Sequence, residues 1–125
     1  MSKSNTHETQ YLQLMFNNTA MTLVGDAAGI LSSAAAGSLY FSLHTADPGE
    51  AGSQTTSEVS YTGYARVAVA RSGSGWTVTA NSVSPAAEIA FTISSGGTGG
   101  TVTHFAVGTA SSGAGVLLYS GTVSP

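Results

Sequence analysis

Three histidines, six carboxylates and many serines are the side chains of this sequence with the makings of a reactive site, because it contains no cysteine. Without cysteine there is no thiolate ligand, no disulfide framework and no Cys nucleophile. His44 and His104 both fall in strand-like segments and meet across a sheet near Asp47 if those segments pair. Two imidazoles and one carboxylate are a metal-binding set. Neither HxH nor HExxH spacing occurs, however, so both histidines are read as surface or interface residues satisfied by hydroxyls. Gly73-Ser74-Gly75 lacks the GxSxG spacing of a nucleophile elbow. A phosphate loop needs a lysine beside its glycines, and the only lysine is Lys3. Glu50 and Glu58 share one polar loop, where paired carboxylates are usually solvated charges. Asn17-Asn18-Thr19 matches a glycosylation sequon by chance in a chain whose N-terminus, MSKSNTHETQ, lacks the apolar core of a signal peptide. The expectation is a protein that is not an enzyme, with no cofactor and no metal.

The residues suited to contact are more informative. Trp76, Tyr61, Tyr64 and Tyr119 are of the types enriched where proteins meet. They are also types that stack on sugars, although Trp76 alternates with Val78 as a core residue at a strand start would. Arg66 and Arg71 flank the alternating run Val67-Ala68-Val69-Ala70. In a chain with three cations they are candidates for ion pairs with Glu50, Glu58 or a neighbouring subunit.

The elements that position these residues follow from periodicity. Leu12, Met15, Phe16 and Leu23 recur at about helical spacing. Asn5 and Glu8 have capping-box-like spacing, and Asn17-Asn18 ends the first helix. Asp26 caps a second short helix that stops at Gly37, weakened by Gly29. From Gly37 the period changes to two: Leu39, Phe41 and Leu43 take one face, and Tyr40, Ser42 and His44 the other. Asp47-Pro48-Gly49 is a turn, and residues 49–60 form a long polar loop. Two similar hairpins follow, YARVAVA-RSGSG-WTVTA and THFAVGTA-SSGAG-VLLYSG. Between them Ile89, Phe91 and Ile93 alternate as a strand, and residues 94–100 are a glycine-rich connector. The expected fold class is all-β: a jelly-roll-like antiparallel β-sandwich with short N-terminal helices. Residues 1–36 are the N-terminal arm and helices, and 37–125 the sandwich domain.

Composition narrows the partners. The chain has 125 residues, only 7% of them charged, and a net charge of -3. Nucleic-acid binding needs clustered Lys and Arg, so no nucleic-acid partner is expected. Hydrophobic residues reach 42%, which separates the chain from disordered sequences. No apolar run approaches the ~20 residues of a membrane helix, so no membrane partner is expected either. Ser, Thr and Gly replace charge at the polar positions, which suits a protein packed in an assembly more than one free in solution.

The runs Gly25-Asp26-Ala27-Ala28-Gly29 and Ala36-Gly37-Ser38-Leu39-Tyr40 lead into Ser42-Leu43-His44-Thr45-Ala46-Asp47-Pro48-Gly49 and Tyr61-Thr62-Gly63-Tyr64-Ala65-Arg66-Val67-Ala68-Val69. Together with Val102-Thr103-His104-Phe105 and Leu117-Leu118-Tyr119-Ser120-Gly121, this set resembles a family of small tailed-phage and prophage virion proteins. The resemblance covers roughly residues 20 to 121, with LHTADPG and TGYAR its most specific parts. Members are often labelled tail fibre proteins, while their size and β-sandwich character resemble capsid cement or decoration proteins. The resemblance implies a capsid cement or decoration protein on the virion's outer shell. Its partners would be the major capsid protein and further copies of itself as a dimer or trimer. The alternative is a tail fibre or receptor-binding module that holds host surface glycans through Trp76 and nearby tyrosines. The family implies no catalytic residues.

Leu12, Met15, Phe16 and Leu23 are too apolar for a free tail, since burying each such side chain is worth ~1.5–3 kcal/mol. With Tyr61, Tyr64, Arg66, Arg71 and Trp76 they are the candidate interface residues. The N-terminal segment is expected to dock on a neighbouring subunit or the capsid as a latch; the alternative is a lid over its own sandwich.

Overall fold

The computed structural model of the chain describes residues 1–22 and 24–124. It contains one α-helix, α1 (Asn5–Asn17), and six strands among the described residues: β1 (Ser38–His44), β2 (Val67–Ala70), β3 (Trp76–Thr79), β4 (Ser82–Pro85), β5 (His104–Gly108) and β6 (Leu117–Thr122). They build a four-stranded sheet in the order β2-β1-β5-β6 and a two-stranded sheet, β3-β4. The all-β class and the antiparallel pairing are as expected; a jelly roll has eight strands where six are described here. The chain forms two compact units, Met1–Ser38 with Val69–Glu88 and Leu39–Ala68 with Ile89–Pro125.

The first unit is built on α1. Its N-cap is Ser4, whose hydroxyl accepts from His7 N (3.3 Å), and not Asn5 as the spacing with Glu8 suggested. The hydroxyl of Ser4 has the reach for an N-terminal amide two or three residues on, and Glu8 then lies in the first turn, where its charge favours the helix dipole. The helix ends where expected, on Asn18 in the left-handed conformation (φ 54°). Its one buried side chain, Phe16, meets Trp76 edge-on with ring centroids 4.7 Å apart. Phe16, Met21 and Trp76 are the main buried apolar residues of this unit.

The second short helix expected after Asp26 is absent. Met21 and Ile30 instead exchange backbone hydrogen bonds of 2.9 Å in both directions, reversing the chain. Asp26 caps only a local turn, accepting from Ala28 N (2.8 Å). Gly29 closes the reversal at φ 71°, and a Cβ there would run into the Met21 carbonyl. That close approach, rather than helix stopping, is what the glycine provides.

The first expected hairpin is also different. β2 and β3 do not pair. Ser72 O accepts from both Gly75 N and Trp76 N, so RSGSG is a tight turn that redirects the chain. β3 pairs with β4 instead, Thr79 opposite Ser82, across Ala80-Asn81 with Ala80 at φ 53°.

In the second unit the alternation of β1 holds. Phe41 pairs with Val107 and Leu43 with Phe105, so these four share one face, and the Phe41 and Phe105 rings lie 6.0 Å apart. Ser42 and His44 take the other face, opposite Ala106 and His104. The β5–β6 hairpin forms as expected, with a bulge at Val107/Gly108. Residues 88–93 do not form the expected strand. Their backbone serves side chains and turns: Tyr61 donates its hydroxyl to Thr92 O (2.9 Å), and Ile93 is 89% exposed.

Candidate functional site

The chemistry-bearing residues gather in the second unit, along the long loop and the TGYAR segment. The Asp47-Pro48-Gly49 turn forms as read, with Asp47 Oδ1 accepting from Gly49 N (3.0 Å). The loop that follows folds inward on Gln54, which has no solvent exposure. The Gln54 side chain bonds both backbone groups of Ala110, accepting from its N–H (2.9 Å) and donating to its carbonyl (3.2 Å). Gln54 N also donates to Ala114 O (2.9 Å). Gly108 and Gly115 leave the room it occupies; a Cβ at either would overlap Gln54. A side-chain amide thus replaces a strand neighbour and fixes the loop onto the β5–β6 turn.

His44 is held by the same loop. A carbonyl only accepts, so Nδ1 donates to Thr56 O (2.8 Å) and Nε2 accepts from the Ser42 hydroxyl (2.8 Å). Ser42 and His44 make a serine–histidine pair by distance, yet neither has any solvent exposure. The pair has no face to offer a substrate. His104 is the direct cross-strand partner of His44, as the sequence suggested. Its Nδ1 bonds the Thr103 hydroxyl (2.9 Å), and no group of three or more His, Asp or Glu poised for a metal occurs among the described residues.

The densest polar arrangement is Glu58, Tyr64 and Arg66. The guanidinium binds the carboxylate in a fork, Nε to Oε1 at 2.7 Å and Nη2 to Oε2 at 2.8 Å. Its Nη1 donates to Ala110 O (2.9 Å) and Nη2 to Gly113 O (2.7 Å), so Arg66 ties Glu58 to the β5–β6 turn. Tyr64 donates to Glu58 Oε1 (2.7 Å) and accepts from Leu43 N (3.1 Å). The Arg66 side chain is only 3% exposed and that of Glu58 14%. Burial by itself would raise the Glu58 carboxyl, but the hydrogen bonds from Arg66 and Tyr64 and the arginine's charge outweigh it and hold it below the usual range. Burial, with the carboxylate as neighbour, pushes the Tyr64 phenol well up. The bond to Glu58 raises Arg66 further. At neutral pH the trio is therefore ion pair plus neutral phenol, with no group poised to exchange a proton.

These residues border an open cleft of about 450 Å³, lined also by Ser60, Tyr61, Ser111 and Ser112. Tyr64 stacks on Phe91 (6.2 Å, 10°) and meets Tyr61 edge-on (5.3 Å). Of the candidate interface residues, Tyr61, Tyr64 and Arg66 thus converge, and of the ion-pair partners offered for Arg66, Glu58 is the one used. Gln54 carries no sequence signal that separates it from the rest of its polar loop.

The other candidates lie in the first unit. Arg71 makes no ion pair among the described residues; its three guanidinium nitrogens donate to Met15 O (2.7 Å), Leu14 O (2.7 Å) and Ala36 O (2.9 Å). It supplies the positive charge that the last turn of α1 lacks in its own sequence. Leu12 and Met15 are half-buried, and Leu23 lies outside the described residues. Trp76 is 3% exposed, so its ring is packed on Phe16 and is not presented to a glycan.

No curated protein and no solved structure matches the chain significantly. The family model described as podophage GP4 fiber I protein gp80 matches residues 2–125, and the chain belongs to that family, one of bacteriophage virion structural proteins.

Proposed function

We propose that this chain is a non-enzymatic structural subunit of a phage fibre, acting in the virion by association with copies of itself and with neighbouring virion proteins. The observation that carries this reading is the family match, which runs over residues 2–125 and bears the description of a fibre protein. The site geometry supports the non-enzymatic half. The serine–histidine pair is sealed, and Glu58, Tyr64 and Arg66 spend their bonds on one another and on the Ala110 and Gly113 carbonyls. Such a cluster holds a surface in shape; it does not move protons. The low charge of the chain supports a life in an assembly, where neighbours replace the charged surface that keeps free proteins apart. Capsid cement, the other virion role, has the composition in its favour but not the family's description.

Antibody-labelled electron microscopy of intact virions tests the assignment. Label on the fibres is the expected result. Label spread over the capsid shell would replace the fibre reading with the cement one.

A further inference from the structure

β6 is one outer strand of the four-stranded sheet, and β2 is the other. An outer strand offers unpaired backbone groups to any strand that arrives, and natural sheets guard it with shortness, charge or proline. β2 has only four residues. β6 has six, and from His104 to Ser124 there is no Asp, Glu, Lys, Arg or Pro.

The ladder shows which groups face outward. Val123 N donates to Thr103 O (2.9 Å), and β6 sets Gly121 opposite Phe105 and Tyr119 opposite Val107. Bonded positions alternate in an antiparallel ladder. Residues 119, 121 and 123 therefore turn their backbone groups to β5, and Ser120 and Thr122 turn theirs to the open edge.

We propose that β6 pairs antiparallel with β6 of a second copy about a two-fold axis at Gly121, a deepening of the self-association reading above that rests on it. In that register Ser120 lies opposite Thr122 of the second copy, and Thr122 opposite its Ser120, so the outward backbone groups satisfy one another. Tyr119 lies opposite Val123 of the second copy, an aromatic–β-branched pair of the kind that stabilises sheets. Tyr119 is 40% exposed and Val123 37%, on the face that also carries Val107 and Phe105. At the axis, where facing Cα atoms come within about 4.5 Å, glycine meets glycine and no side chain intervenes. No residue of β6 is itself charged; the carboxylates beside it are Asp47 and Glu50, which line a cleft with Leu117, Leu118 and Ser120. A slip of one residue would put Tyr119 and Val123 on opposite faces, and a slip of two would set Ser120 or Thr122 against its own copy and part Tyr119 from Val123.

The cysteine-free chain allows a register-specific test. A Ser120→Cys chain and a Thr122→Cys chain are mixed and oxidised; bonded cross-strand positions lie about 5.5 Å apart, within disulfide reach. The mixture is expected to cross-link several-fold faster than either chain alone. Thr122→Pro removes an N–H that β5 does not use. Sedimentation should show a dimer for the unmodified chain and a monomer for Thr122→Pro, with unchanged circular dichroism. A monomeric unmodified chain, a dimer that survives Thr122→Pro, or cross-linking as fast in either chain alone overturns the pairing. None of these results bears on where the protein sits in the virion, so the fibre assignment stands or falls separately.

Discussion

Glu58 and Arg66 set the chemistry of the second unit at the scale of single residues. The fork between them is nearly closed to solvent and leaves the arginine no other anion. Arg66→Met would strand a part-buried carboxylate, and is expected to cost about 3 kcal/mol in urea unfolding. The pair also predicts a pH dependence. Its carboxyl titrates below the usual range in the folded chain, so its contribution is complete above the ordinary glutamate value and is lost as the pH falls through the lowered one. Glu58→Gln should therefore lower stability at neutral pH and flatten the acid limb of a stability–pH profile; an unchanged acid limb would remove the carboxylate's role. The pairing was legible in the sequence, because a chain with three cations has few ways to satisfy an anion. The part played by Gln54 was not. A neutral amide in a loop of Ser, Thr and Gly carries no periodicity, and its burial depends on two glycines more than fifty residues away.

Among the elements, β1, β5, β6 and α1 were legible because each carries its own period and its own stop. The elements that differ share one cause: a local pattern does not show which backbone comes alongside it. Ile89, Phe91 and Ile93 alternate, yet no strand comes alongside. The turn after β2 contains glycine, yet its hydrogen bonds redirect the chain instead of closing a hairpin. The run after Asp26 has helical composition, yet Gly29 is needed for close approach to Met21. Within the chain, the N-terminal helix packs Phe16 on Trp76. Phe16→Ala should destabilise that unit by about 3–5 kcal/mol. Trp76 is the sole tryptophan and is buried, so its emission should be blue-shifted in the native protein and shift to the red at lower denaturant in the variant. Ala80 holds a left-handed conformation that favours glycine. Ala80→Gly should thus raise stability by about 0.5–1 kcal/mol, read from the same fluorescence midpoint.

For the whole molecule, the proposed association with other virion proteins rests on low charge, abundant hydroxyls, sealed polar clusters and an outer strand without charge. The family match sets the chain among bacteriophage virion structural proteins, and the family's fibre description favours the role that the sequence resemblance offered second. Composition could not separate them, because fibre and shell proteins are under the same pressure to trade charge for contact. Copy number can. Quantitative mass spectrometry of purified virions, with this chain counted against the major capsid protein, separates the two roles. A fibre subunit should be present in a few to some dozens of copies per particle, in proportion to fibres. Hundreds of copies, in proportion to capsid subunits, would overturn the fibre reading.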